Sequence, residues 1–196
     1  MCYIEQMKHI ILASSSPRRK TILESVGLKF EVVPSMYEED NDLPMPTNQL
    51  VMHLALGKAK SVFENHPESL VIGSDMLAVI DGKVIGKVYS KEQLIDTFRL
   101  FSGRSHSVFS GIAIIEHGRE LTDWLETKVF FRDLSEQEIE RYAEHTEEWQ
   151  DKMGGYGIQG LASLFIDKIE GDYYSVVGLP LCRLGVLLKK FGVDIL

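Results

Sequence analysis

"HIILASSSPRRKTILESVG", His9 to Gly27, changes character twice within nineteen residues. The apolar run His9–Ala13 reads as a short buried strand. After it, Ser16 is a favourable N-cap, Pro17 fits the first helical position, Ile22, Leu23 and Val26 share one face, and Gly27 can stop the helix. Leu28–Val33, with Phe30 and Val32 alternating, reads as a second strand. The opening is therefore strand, loop, helix, strand. One feature resists this reading: Arg18 and Arg19 fall in the first turn of the helix, where the positive pole and unpaired N–H groups gather. Two cations there are misplaced by roughly 0.3–1 kcal/mol each unless something negative answers them. An anion would answer them.

Working outward, "YEEDNDLPMP", Tyr37–Pro46, is an acidic loop. Leu50, Val51, Leu54, Ala55, Ala59 and Val62 then trace a helical stripe, with Lys58 inside it. "LVIGSD" reads as a strand that ends on Asp75, and "MLAVIDGKVIGK" as a hairpin about the Asp81-Gly82 turn. Ser90-x-x-Gln93 and Ser135-x-x-Glu138 are capping boxes that start two more helices. Leu94, Ile95, Phe98 and Phe101 face inward on the first of these, and Gly103 stops it. Ser107–Ile115 and Leu125–Phe131 pair around a turn near His117-Gly118, and "LFIDKIEGDYYSVVGLP" supplies two more strands. Pro180 opens a last helix with Leu184, Leu187, Leu188 and Phe191 on its core face. Helices alternating with strands and hairpins define an α/β class with a mixed sheet.

The 196 residues, 44% of them hydrophobic, suffice for one sizeable core or two small lobes, and no linker-like stretch divides them. We expect one domain over residues 1–196. A formal charge of −8 argues against a general nucleic-acid binder, so any anion site must be local. Cys2 and Cys182 are the only cysteines, with no signal-peptide pattern ahead of them, which predicts a reduced, cytoplasmic setting. No apolar run approaches the about 20 residues that a membrane span needs. The six histidines are scattered without metal-ligand spacing, and surface or core-edge positions are expected for them.

Three segments could carry chemistry. Ser14, Ser15 and Ser16 offer hydroxyls and loop N–H donors beside a helix start, and Arg18 and Arg19 add planar forks suited to phosphate oxygens. The competing reading is a plain capped helix with solvated arginines. Asp75, closing a strand, could bind a divalent cation or accept a proton from water, with Lys87 on the returning hairpin arm as a partner, or it could merely cap a turn. Lys58 either snorkels from the apolar face or aims into a cleft. In "DKMGGYGIQG", Asp151–Gly160, four glycines in ten residues let backbone approach a ligand, and Gln159 carries an amide suited to reading a base edge. A glycine-rich connection is the alternative there.

Taken in order, "LASSSPRR", "YEED", "LALGKAKS", "VIGSD", the hairpin ending "GK", "FRDLSEQEIERY", "DKMGGYGIQG" and "IEGDYYSVVGLPL" resemble the Maf family of nucleoside triphosphate pyrophosphatases over nearly the whole chain. The resemblance implies an elongated mixed sheet flanked by helices, of the Maf/inosine-triphosphatase type, with two lobes around a nucleotide cleft and often a homodimer. It implies hydrolysis of a nucleoside triphosphate to the monophosphate and pyrophosphate with a divalent metal, Mg or Mn. Asp75 matches the family's proton acceptor, and Ser14, Arg18, Arg19, Glu39, Lys58 and Lys87 match its phosphate and metal surroundings, with Glu39 and Asp75 as the metal ligands and Ser16 joining the substrate contacts from its place in the serine loop.

Gln159 matches a residue associated with base choice, and the glycine-rich run looks like the branch acting on dTTP and UTP. Met76 stands where that branch usually has threonine, and "GKV" replaces "GKP", so Met76 is a further candidate for substrate contact. The rival expectations are a nucleotide-binding regulator of cell division, and a pyrophosphatase acting on 7-methyl-GTP or on inosine or xanthosine triphosphate. A regulator that only binds has no need of Asp75.

Overall fold

The computed structural model describes residues 8–150 and 152–196. In chain order the elements are β1 (Ile10–Leu12), α1 (Pro17–Ser25), β2 (Glu31–Val32), α2 (Thr47–Phe63), β3 (Leu70–Ile80), β4 (Lys83–Ile85), α3 (Lys91–Phe101), β5 (Ser105–Glu116), β6 (Arg119–Phe131), α4 (Glu136–His145), β7 (Ile166–Glu170), α5 (Tyr173–Val177) and α6 (Leu181–Lys190), with a 3-10 turn at Leu161–Phe165. Seven strands form one mixed sheet in the order β2-β1-β3-β5-β6-β7, with β4 on β3. The class expected from the sequence is the class observed. Cys2 lies outside the described residues, while Cys182 is an exposed thiol.

The opening segment folds as read. Ser16 occupies the N-cap position with extended backbone, Pro17 begins α1, and Gly27 takes φ +72° beyond its end. The cap is not made by the Ser16 hydroxyl, however; Ser14 Oγ instead accepts from the Ser16 N–H at 3.2 Å. Ser135 and Glu138 complete a reciprocal capping box at α4. At α3, Ser90 Oγ accepts from Gln93 N–H, but the Gln93 side chain reaches back one residue further, to Tyr89 N–H.

Two readings are corrected. First, Asp75 does not close its strand, because β3 continues to Ile80, held by antiparallel pairing with β5 from Val71 to Val79. Second, "DYYSVV" is not a strand. The Asp172 carboxylate accepts from Ser175 N–H at 2.6 Å, and this cap turns the segment into α5.

The pairing of β3 decides where a cleft can form. One edge of this strand is covered by β5 along nearly its whole length. The other takes β1 in parallel over Leu70–Ile72 and β4 antiparallel over Ala78–Ile80. Between these partners the sheet has a gap, and Asp75 lies in it. On the α2 face, Gly73 and Gly111 carry no side chains, so the helix lies directly on the sheet. A Cβ on Gly73 would stand 2.1 Å from Ala55 O, and one on Gly111 2.2 Å from Val51 O.

Two smaller apolar clusters lie under α2, and the two larger ones lie toward opposite ends of the long β3–β5–β6 ribbon. Leu70, Ile72, Ile112 and Ile114 join residues of α1 and α6 in one. Ile80, Val108, Val129 and Phe131 join residues of α3 and α4 in the other. His106 is a further correction, since at 3% exposure it belongs to the interior, stacked on Phe101 with ring centroids 4.2 Å apart. Its Nε2 lies 2.7 Å from the Tyr156 hydroxyl, and an aromatic neighbourhood with one polar partner explains why spacing alone did not reveal it.

Candidate functional site

The gap in β3 opens into a cleft of about 680 Å³, and every site residue proposed from the sequence lines it: Ser14, Ser16, Arg18, Arg19, Glu39, Lys58, Asp75, Met76, Lys87 and Gln159. Five cations, Arg18, Arg19, Lys58, Lys87 and Lys152, face three carboxylates, Glu39, Asp75 and Glu148, in a chain whose net charge is −8. The positive balance is local, as an anion site in an acidic chain requires.

At its centre, Lys58 is buried, so the cleft reading prevails over snorkelling. Its Nζ donates to Asp75 Oδ1 at 2.5 Å and lies 2.7 Å from Glu39 Oε1. The close seat of α2 on Gly73 and Gly111 brings the two charges together. Burial pushes the Asp75 carboxyl above its ordinary range, while Lys58 and Arg19 pull it back. Its second oxygen, Oδ2, is buried and without a hydrogen-bond partner. A carboxylate with one oxygen fixed and the other open can take a proton from water or ligate a cation.

The arginines are answered partly from within the chain. Arg19 Nε donates to Gly178 O at 2.9 Å and its NH1 to Ser14 Oγ at 3.2 Å; Arg18 Nε donates to Val177 O at 3.3 Å. Val177 and Gly178 end α5, whose last carbonyls form its negative end. Burial lowers the Arg19 pKa, opposed by Asp75 and Glu39. Because Arg19 is almost wholly buried and bound at both ends of its guanidinium, its role is structural as well as electrostatic.

The glycine-rich run behaves differently from expectation at its start. Gly154 and Gly155 have φ of +65° and +71°, and a Cβ on Gly155 would stand 2.5 Å from Leu94 Cδ1. These two glycines pack on the core and do not cradle a ligand. The run is tied to the hairpin by a bridge between Lys87 and Met153, with Gly154 N–H donating to Gly86 O at 3.0 Å. This attachment brings Lys87 and Gln159 to the same cleft, Gln159 on an exposed part of its wall.

Met76 is on the opposite face of β3 from Asp75, packed against the core but also reaching the cleft, its Sδ 3.8 Å from the position a Cβ would take on Gly178. Lys152 was not singled out from the sequence. It lies on the cleft wall, donates to Glu148 O, and has its pKa lowered first by burial and then by Arg18. Its position just before the glycines was the only available signal.

For a divalent cation the donor set is oxygen-only. No group of three or more His, Cys, Asp or Glu side chains gathers among the described residues. Two carboxylates, Asp75 with its unpaired Oδ2 and Glu39, fit a hard ion that completes its shell with phosphate oxygens and water.

The fold and cleft thus define an α/β protein with a cationic site at a break in a mixed sheet. The chain belongs to the Maf-like protein family, whose model matches residues 9–191. It is 44% identical over 191 residues to a dTTP/UTP pyrophosphatase of Bacillus cereus, covering 97% of this chain and 94% of the relative. It is 43% identical over 189 residues to a dTTP/UTP pyrophosphatase of Bacillus anthracis, covering 96% and 98%. Among solved structures, a HAM1 protein from Coxiella burnetii aligns with TM-score 0.44 at 16% identity, over 64% of this chain and 73% of that one.

Proposed function

We propose that this protein hydrolyses nucleoside triphosphates, dTTP and UTP first among them, to the monophosphate and pyrophosphate. The observation that carries the reading is the Asp75 carboxylate, buried in the sheet gap with Oδ2 unpaired and Lys58 on its other oxygen, facing the arginines of α1. Water is added across the anhydride between the α and β phosphates. Asp75 accepts the proton of that water at Oδ2, and its raised pKa brings it nearer the proton affinity that a general base needs at neutral pH. Lys58 holds the carboxylate in place, while Arg18, Arg19, Lys87 and the Ser14–Ser16 loop bind phosphate oxygens and stabilise the departing pyrophosphate.

Glu39 and Asp75 would hold a divalent cation, Mg or Mn, which when bound neutralises charge on the triphosphate. Gln159 and Met76 line the base or ribose end. The 44% relative's substrates and the intact glycine-rich run support the pyrimidine assignment. Residues 1–196 are read as one domain acting in the cytoplasm, as a homodimer. No helix among the described residues is long and apolar enough to cross a membrane.

The test is pyrophosphate release from dTTP, UTP, CTP, 7-methyl-GTP and ITP, each with magnesium, manganese or cobalt and without metal. Preferred release from dTTP and UTP supports the reading, and preference for 7-methyl-GTP or ITP overturns the base assignment. In the same assay Asp75→Asn should retain nucleotide binding and lose about 10²–10⁴ in kcat. Near-normal turnover by that variant would remove Asp75 from the mechanism.

A further inference from the structure

The acidic loop that carries Glu39 has no strand or helix of its own, yet it delivers the carboxylate to Lys58 at 2.7 Å. The reason is a row of three residues on α2, spaced by four and so stacked along one face: His53, Gly57 and Ser61. The Tyr37 hydroxyl lies 3.2 Å from His53 Nε2, and the two rings meet edge to face with centroids 6.4 Å apart. Ser35 Oγ lies 2.8 Å from Ser61 Oγ. Ser61 Oγ donates to Lys58 O and Tyr37 N–H donates to Ser35 Oγ, so the hydroxyl between them runs from Ser35 to Ser61.

Between these two ties the Tyr37 ring occupies the space a side chain at Gly57 would fill. A Cβ there would stand 2.4 Å from Cζ, 2.5 Å from Cε2 and 2.7 Å from Cε1. A glycine in the interior of a 17-residue helix is a poor choice for the helix itself. It is the one residue that leaves room for the ring.

We propose that Tyr37, seated in the notch left by Gly57 on α2, is a positioning residue that holds Glu39 against Lys58 and so sets the cation requirement of the site. The metal part rests on the function proposed above; the seat itself does not. Tyr37 also lines the cleft, and the role assigned to it is to hold the loop in place rather than to act on phosphate. It fixes the path of the chain two residues before Glu39, and Gly57 is adjacent to Lys58, so the seat of the ring, flanked by its ties to His53 and Ser61, registers loop and lysine to each other.

The experiment compares Gly57→Ala, Tyr37→Ala, the double variant and Glu39→Gln with the parent chain. Two readouts are taken: cleavage at Glu38 and Glu39 by a glutamate-specific protease without nucleotide or metal, and the magnesium concentration for half-maximal pyrophosphate release. Gly57→Ala should keep or raise the melting temperature, because alanine favours the helix, while cleavage of the loop accelerates about tenfold through local opening. Its half-saturating magnesium should rise about tenfold, with kcat at saturating magnesium changed much less. Tyr37→Ala, which also loses the bond to His53, should do the same or slightly more, and the double variant should be no worse than Tyr37→Ala alone, since without the ring a Cβ at position 57 displaces nothing.

Unchanged loop cleavage in both single variants overturns the seat. Faster cleavage with an unchanged magnesium requirement in Gly57→Ala overturns the link to the cation, provided Glu39→Gln itself raises that requirement. If Glu39→Gln leaves it unchanged, the metal role of Glu39 fails instead, and the protease comparison decides the seat alone.

Discussion

Arg18 and Arg19 are neighbours of the same type in the same helical turn, yet their surroundings differ. Arg19 is 8% exposed and holds Gly178 O and Ser14 Oγ, whereas Arg18 is partly exposed and reaches Val177 O with a longer bond. Removing Arg19 deletes two hydrogen bonds from a charged donor to buried acceptors and leaves each with one long bond, Gly178 O with Ser74 Oγ at 3.3 Å and Ser14 Oγ with Ser16 N–H at 3.2 Å, a loss of about 1–3 kcal/mol that exceeds the gain from taking a cation off the helix start. Arg19→Ala should therefore lower the unfolding free energy in urea by about 1–3 kcal/mol, and Arg18→Ala by less than about 0.5 kcal/mol. Both should weaken triphosphate binding. Equal stability of the two variants would mean that the buried bonds of Arg19 add nothing beyond what the longer bond of Arg18 to Val177 O supplies. The sequence alone predicted neutral or improved stability for both, because nothing in it places residue 178 beside residue 19.

At the scale of elements, β5 carries a titratable ring into the core. Burial depresses the His106 pKa from 6.5 to about 4, and its Nδ1 has no partner. Above pH 6.5 the ring is neutral in both states and has no effect. As the pH falls from 6.5 to about 4, the unfolded chain takes up a proton that the folded chain does not, so stability declines through that window. The full loss is on the order of 3 kcal/mol by the lower end. His106→Phe keeps a ring against Phe101 and removes the titration. Its unfolding free energy should be somewhat lower at pH 7.5, where Tyr156 loses a partner, and nearly flat between pH 6.5 and 5 in that residue's contribution. Parallel pH profiles for parent and variant in urea unfolding would show that His106 does not titrate across the transition.

On the whole-molecule scale, the cleft lies where β1 and β4 leave one edge of β3 uncovered, and parts of both cores reach it. A triphosphate bound as proposed would offset the excess of cations there and bridge α1, α2 and the glycine-rich run. At a concentration one hundred times its Kd, a ligand that binds only the folded state adds about 2.7 kcal/mol, or about 5–10 °C in Tm for a chain of this size. A non-hydrolysable dTTP analogue with magnesium should give a shift of that order, and thymidine under the same conditions almost none. Equal shifts from both would place recognition in the base and leave the cationic cleft unexplained.

What the sequence determined by itself is what rests on local chemistry. The α/β class follows from apolar periodicity, the boundaries of α1, α3 and α4 from Ser16, Ser90 and Ser135, and the β5–β6 hairpin from its alternation and the His117-Gly118 turn. The candidate site residues were legible through the resemblance that the ordered motifs carry, since residue chemistry alone left Asp75, Lys58 and Lys87 open to plainer readings and did not single out Glu39. The tertiary structure alone decided which partner each one meets. Asp75 became a mid-strand residue because β5 pairs straight through it, and Lys58 met it because Gly73 and Gly111 admit α2 to the sheet. The second strand expected near Tyr173 became α5 through one aspartate cap. Tyr37 and Gly57, twenty residues apart and unremarked in the sequence, proved to be a single contact. Periodicity and capping are carried by neighbours within a few positions, whereas pairing edges, close helix–sheet approach and buried charge depend on residues that only folding brings together.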